Sequence, residues 1–135
     1  MKIILILCLL LASCATTKTD PFLYVNEINQ SLTVQSEVQI NSEESLQIQQ
    51  QIDWARSKGL TGHVTVKLTE AGPTLDGSNR FIGGRVWNVN PIEIILPRSI
   101  LSNLAHELFH VVMWQKTGNV DSDHRDPSWK EWGLF

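Results

Sequence analysis

Histidine occurs at positions 63, 106, 110 and 124, and two of these stand four residues apart in His106-Glu107-Leu108-Phe109-His110. On a helix that spacing brings both imidazoles to one face about a turn apart, where they can share one ion. Neutral imidazole nitrogens leave net positive charge on a divalent metal, so it can polarise a carbonyl, whereas several thiolates would damp it. Glu107 follows the first histidine directly. It projects beside the ion rather than onto it, where a carboxylate can accept the proton of a water. Zinc with three protein ligands keeps a fourth position open for that water and lowers its pKa towards about 7. The pattern points to hydrolysis, with His106 and His110 as metal ligands and Glu107 as general base.

Few residues can supply the third ligand. His63 begins a strand-like run, His63-Val64-Thr65-Val66-Lys67-Leu68, well before the motif, and reads as a packed or surface strand residue. His124 follows the motif after Gly118, and a chain leaving the helix there can fold back to the metal. Asp121, Asp123 and Asp126 are its rivals, because carboxylates also bind zinc; such acids more often cap loops or orient an imidazole.

The elements that must position these side chains follow from the hydrophobic pattern. Ser99 can cap a helix running to about Lys116, with Ile100, Leu104, Leu108, Val111 and Val112 on its buried face and Gly118 past its end. Upstream, alternation over 32–40 predicts a strand with Ser36 as its weak point. Asn41 or Ser42 can cap a second helix with Ile48, Ile52 and Ala55 inside, ended by Gly59. Strands are expected at 63–68, 80–87 and 92–96, with 72–79 a loop dense in turn formers and Pro97 a stop. The last segment carries His124, Trp129 and Trp132, the two tryptophans placed to close a small core behind the metal loop. Trp114 is expected to pack in the core rather than to wall the cleft, and Gly83-Gly84 to form a bulge rather than a close approach to substrate. No oxyanion stabiliser stands out; Arg85 and Arg125 are the available cations. The expectation is an α+β domain with a short mixed sheet packed on the motif helix and a C-terminal metal-binding loop.

Taken together, His106-Glu107-Leu108-Phe109-His110, Trp114, Gly118, His124 and Trp129-Lys130, with Gly84-Arg85 and Ile92-Glu93-Ile94 before them, resemble the SprT-like family of zinc metallopeptidases within the zincins. The resemblance spans roughly residues 80 to 132. It implies His106, His110 and His124 as zinc ligands, Glu107 as catalytic base, and an extended peptide bound along an edge strand, either around Arg85 to Val89 or around Ile92 to Leu96. The interval from His110 to His124 is one residue longer than the family usually shows. The family's action on DNA-bound proteins is not implied here, since the folded part lacks cysteines for a further zinc module.

The N-terminus sets the expected address. Lys2 precedes a short apolar run, and Leu11-Ala12-Ser13-Cys14 resembles the bacterial lipoprotein signal, in which cleavage leaves Cys14 as a lipid-modified N-terminus. The run is too short for a stable transmembrane helix. Residues 1–13 then form the signal peptide, 14–20 a lipid-anchored tether and 21–135 the domain, with roughly 115 residues to build one core. Cys8 leaves with the signal, so no disulfide is expected. Eleven basic residues against 14 acidic ones offer no basic patch for nucleic acid. Expected partners are a protein or peptide substrate and the membrane reached through the lipid, with no nucleic acid and a monomeric state. The expected place is the cell envelope, the outer membrane where there are two. Alternatives are a noncatalytic zinc-binding lipoprotein that holds a partner, and hydrolysis of peptidoglycan cross-links.

Overall fold

A computed structural model describes residues 20–71, 74–75 and 81–134. Cys14 and the signal segment lie outside the described residues, as does most of the 72–79 loop.

Three strands of alternating sequence make the centre of the sheet. In β2 (Leu32–Ser36), Leu32, Val34 and Ser36 are buried, as are Val64, Val66 and Leu68 in β3 (Val64–Thr69). A later strand, Ile92–Pro97, buries Ile92, Ile94 and Leu96. Their register sets Val34 beside Val66 and Val66 beside Ile94, so apolar rows run across one face. Each such side chain withdrawn from water contributes about 1.5–3 kcal/mol before entropy is charged. The three strands run parallel, which demands crossovers, and α1 (Ser42–Ser57) supplies the one between β2 and β3. Asn41 caps α1 in a capping box with Glu44, and Ile48, Ile52 and Ala55 face the core.

Outside this centre, β1 (Tyr24–Asn29) pairs antiparallel with β2 on one side. The short strands β4 (Thr74–Leu75) and β5 (Phe81–Ile82) pair with each other. They lead to β6 (Arg85–Val89), which is antiparallel to β7 (Ile92–Pro97) and forms the other margin. The order is β1-β2-β3-β7-β6, a mixed sheet in an α+β fold.

The chain departs from the sequence expectation in several places. The 32–40 strand stops at Ser36, which is fully buried, and Val38 is exposed. Beyond it the Gln39 carbonyl accepts from Arg98 (3.0 Å) rather than from a ladder, so Arg98 rather than sheet pairing directs the chain to α1. The same guanidinium binds both oxygens of Glu44 and reaches Glu70 at 3.1 Å, joining the end of β7 to α1 and to the end of β3. β1 had no signal in the sequence pattern because a marginal strand with one half-buried side needs little alternation. Ser99 caps nothing. It falls in a 3-10 turn over Arg98–Asn103, where Ile100 (φ −122°, ψ 33°) breaks helical geometry, and α2 starts at Leu104. Its exposed N-terminal donor is met from α1 instead: Ala105 N–H donates to Gln51 Oε1 (2.8 Å), while Gln51 Nε2 donates to the Leu101 carbonyl (2.9 Å).

Candidate metal centre

The helix α2 (Leu104–Thr117) buries Leu104, Leu108, Val111 and Val112 against the sheet and presents His106, Glu107 and His110 to a cleft. Gly118 ends it in the left-handed region (φ 74°), donating to the Trp114 carbonyl at 2.7 Å. Glycine carries that conformation without a Cβ clash, so the chain reverses there. The following loop returns through two non-glycine residues with positive φ, Asp121 (52°) and His124 (53°), each costing about 1 kcal/mol or more.

Asp121 offsets that cost. Its carboxylate accepts from the backbone N–H of Arg125 (3.1 Å) and Asp126 (3.0 Å) and from Trp129 Nε1 (2.6 Å), and its carbonyl from His124 N–H (2.9 Å). The Asp126 N–H foremost holds the Asp121 carboxyl below its ordinary range. Asp126 in turn accepts from Ser128 N–H (2.9 Å) and its hydroxyl at the start of α3 (Ser128–Glu131). Asp123 pairs with Arg125 at 3.0 Å on the surface. None of the three acids that rivalled His124 lies in the cluster; two of them build the loop that aims it.

His124 Nε2 stands 3.1 Å from His106 Nε2 and 3.2 Å from His110 Nε2, and one ligand atom from each histidine falls within a sphere of 4.8 Å mutual separation. The outer nitrogens decide the tautomers. His106 Nδ1 lies 3.1 Å from the Leu134 carbonyl and His110 Nδ1 2.7 Å from the Val120 carbonyl. A carbonyl only accepts, so each Nδ1 carries the proton and each Nε2 keeps its lone pair. Burial holds both imidazoles neutral, pushing His106 below its ordinary range and His110 down to about 4. Two such lone pairs aimed at one point, with the His124 nitrogen beside them, make a donor set that fits a metal ion.

Trp129 floors the centre. It is fully buried, with ring centroids 4.9, 4.7 and 4.4 Å from those of His106, His110 and His124, and it rests on Phe109 at 4.4 Å. Trp132 packs edge-on to Phe109 and Trp54. The expectation for these two tryptophans thus holds, with Trp129 nearer the histidines than sequence could say.

Glu107 is 8% exposed, and burial raises its carboxyl to about 7. It lines the same cleft of about 660 Å³ as the three histidines, β6 and Gly83-Gly84. That glycine pair is no bulge but a close approach: a Cβ on Gly84 would stand 3.2 Å from Glu107 Cγ. Of the two segments expected to offer an edge, β7 is internal, and β6 is the outer strand beside the site. Arg85 lines the cleft, stacked over the exposed Trp87 ring at 4.6 Å. His63 lies outside the cluster, its Nε2 2.9 Å from Thr33 Oγ1. The carbonyls of Leu134 and Val120 escaped sequence reasoning because a backbone acceptor has no residue signature.

Comparison of the chain with protein-family models, with curated proteins and with solved structures returns no match.

Proposed function

We propose that the chain is a zinc peptidase of zincin type, similar to the SprT-like enzymes, tethered to the cell envelope through a lipid on Cys14. The observation that carries the reading is the convergence of three imidazole Nε2 atoms, at 3.1 and 3.2 Å, beside the buried Glu107 carboxylate. Tetrahedral zinc with bonds of about 2.0–2.1 Å to nitrogen spaces its ligands roughly 3.3 Å apart, which these distances approach. His106, His110 and His124 would hold the ion, and all three come from uncharged side chains, so its charge is undiminished.

When bound, zinc supplies the Lewis acidity that polarises a scissile carbonyl and acidifies a water. Glu107 accepts the proton that water loses as it attacks the carbonyl carbon, and delivers it to the amide nitrogen as the C–N bond breaks. Its burial beside Gly84 suits that traffic, because a carboxylate with little hydration transfers protons at low cost. The outer side of β6 offers backbone donors and acceptors to an extended peptide, a mode that reads main chain more than side chain.

Replacing Glu107 by Gln tests the reading. The variant is expected to keep its zinc and to lose cleavage of an unstructured protein such as casein. A variant that cleaves at the wild-type rate overturns the mechanism; a wild type that binds zinc yet cleaves neither protein nor purified cell wall leaves the noncatalytic partner-binding reading.

A further inference from the structure

Beyond the metal cleft, β6 and α2 continue together, and a second hollow of about 540 Å³ opens at their far end. Val89, the last residue of β6, lines both spaces, so the hollow adjoins the cleft. Gly84 faces Glu107 at the near end, and Val89 shares the hollow with Trp114 at the far end, so β6 and α2 advance in the same direction. We infer that this hollow is a specificity subsite that takes a large apolar side chain of an extended peptide, on one side of the scissile bond. The inference rests on the peptidase reading.

Position follows from the helix. Trp114 lies seven residues after Glu107, about 10 Å along α2, and an extended chain covers that distance in about three residues. The side chain received is therefore the second or third from the bond that is cut.

Chemistry follows from the walls. Trp114, Pro91, Ile92 and Val89 supply apolar surface. Among the polar residues, Gln115 exchanges two bonds of 3.0 Å with the Thr61 backbone and both ring nitrogens of His63 have partners in Thr33 and Gln30, while Asn90 stands at the exposed rim. No acidic or basic side chain other than His63 lines the hollow. A charged residue entering it would lose hydration and meet no carboxylate, Lys or Arg, whereas an apolar one gains in proportion to the area it buries against Trp114, Pro91 and Val89. The Gln115–Thr61 pair also fixes the turn of helix that carries Trp114.

The test is cleavage of a random peptide library by the full chain loaded with zinc, read by mass spectrometry. Wild type is expected to favour Leu, Met or Phe at one position, two or three residues from the cut and on one side only. Trp114→Ala should lower that preference about tenfold, and Val89→Phe, which narrows the mouth, should shift it towards smaller apolar residues. Trp114→Phe keeps an aromatic wall and should retain most of the preference, which controls for misfolding. Cleavage with no such preference, or a preference unmoved by Val89→Phe and Trp114→Ala, overturns the subsite and leaves the peptidase reading standing. A zinc-loaded wild type that cuts no peptide overturns both.

Discussion

Gly84 and Glu107 face each other across the cleft so closely that a single added carbon would crowd the carboxylate: a Cβ at position 84 meets Glu107 Cγ at 3.2 Å and Oε1 at 3.3 Å, and Leu96 Cβ at 3.1 Å. Gly84 carries no positive φ, so space rather than backbone freedom requires glycine there. Gly84→Ala should therefore displace the Glu107 carboxylate while leaving the three histidines in place. Peptide turnover is expected to fall by about 10–100-fold with zinc content unchanged, since small misplacements of a catalytic group are costly. Loss of zinc in step with activity would show that the glycine supports the metal site instead.

His124 arrives from the loop, whereas His106 and His110 are fixed on a helix, so the three should not respond alike to loss. His124→Ala is expected to leave a two-nitrogen site that binds zinc at least about a hundredfold more weakly, with little loss of apo stability. His63→Ala should bind zinc as wild type does. Metal titration with a chromophoric competitor distinguishes these outcomes, and equal weakening by both variants would contradict the assigned ligand set.

Because the ion would bridge the helix to the returning loop, its removal should be felt as stability. With zinc at 100 times its dissociation constant, unfolding is opposed by about 2.7 kcal/mol more than in the apo chain. Chelation should lower the melting temperature measurably, and an unchanged temperature would mean that the ion does not join the two segments.

Asp121 gathers three donors on its carboxylate, and its carbonyl accepts from His124 N–H. Asp121→Ala leaves two backbone N–H groups and the Trp129 indole without that acceptor and relaxes the loop that aims His124. A stability loss of about 1–3 kcal/mol and a zinc affinity about 10–100-fold weaker are expected. Circular dichroism melts with the metal titration check both, and wild-type affinity would make the loop's order irrelevant to the site.

Arg98 lowers the Glu44 carboxyl from its ordinary value of 4.5. The folded-state pKa lies below the unfolded one, so the pair contributes stability fully above the unfolded value and loses it as pH falls through the lowered one. Glu44→Gln should therefore be less stable than wild type near neutrality and converge with it once acidification has protonated Glu44 in the folded state as well. A stability gap that persists beyond that point would assign the effect to packing rather than charge.

Residue types carried much of the cluster. The convergence of His106, His110 and His124 was legible because metal-ligand chemistry restricts identity and spacing together, and the glycine after the helix told where the chain turns back. The central strands were legible through strict alternation. What escaped was set by contacts distant in sequence: the start of α2 depends on Gln51 of another helix, the early end of β2 on Arg98, and the glycine pair on a side chain more than twenty residues later. Local pattern has no access to such partners. Nor can it distinguish an inner strand from an outer one, which is why 85–89 and 92–96 were equivalent in sequence and are not in the sheet.

The strand β7 is continuous with both walls of the cleft: the hairpin from β6 enters it, and the turn to α2 leaves it. Both jaws are thus mounted on a single rail, pinned along its other side by parallel pairing with β3. Tilting that rail would carry them together and leave the gap unchanged. Any local adjustment of the gap would then fall to the 119–127 loop and to rotamers along the outer strand.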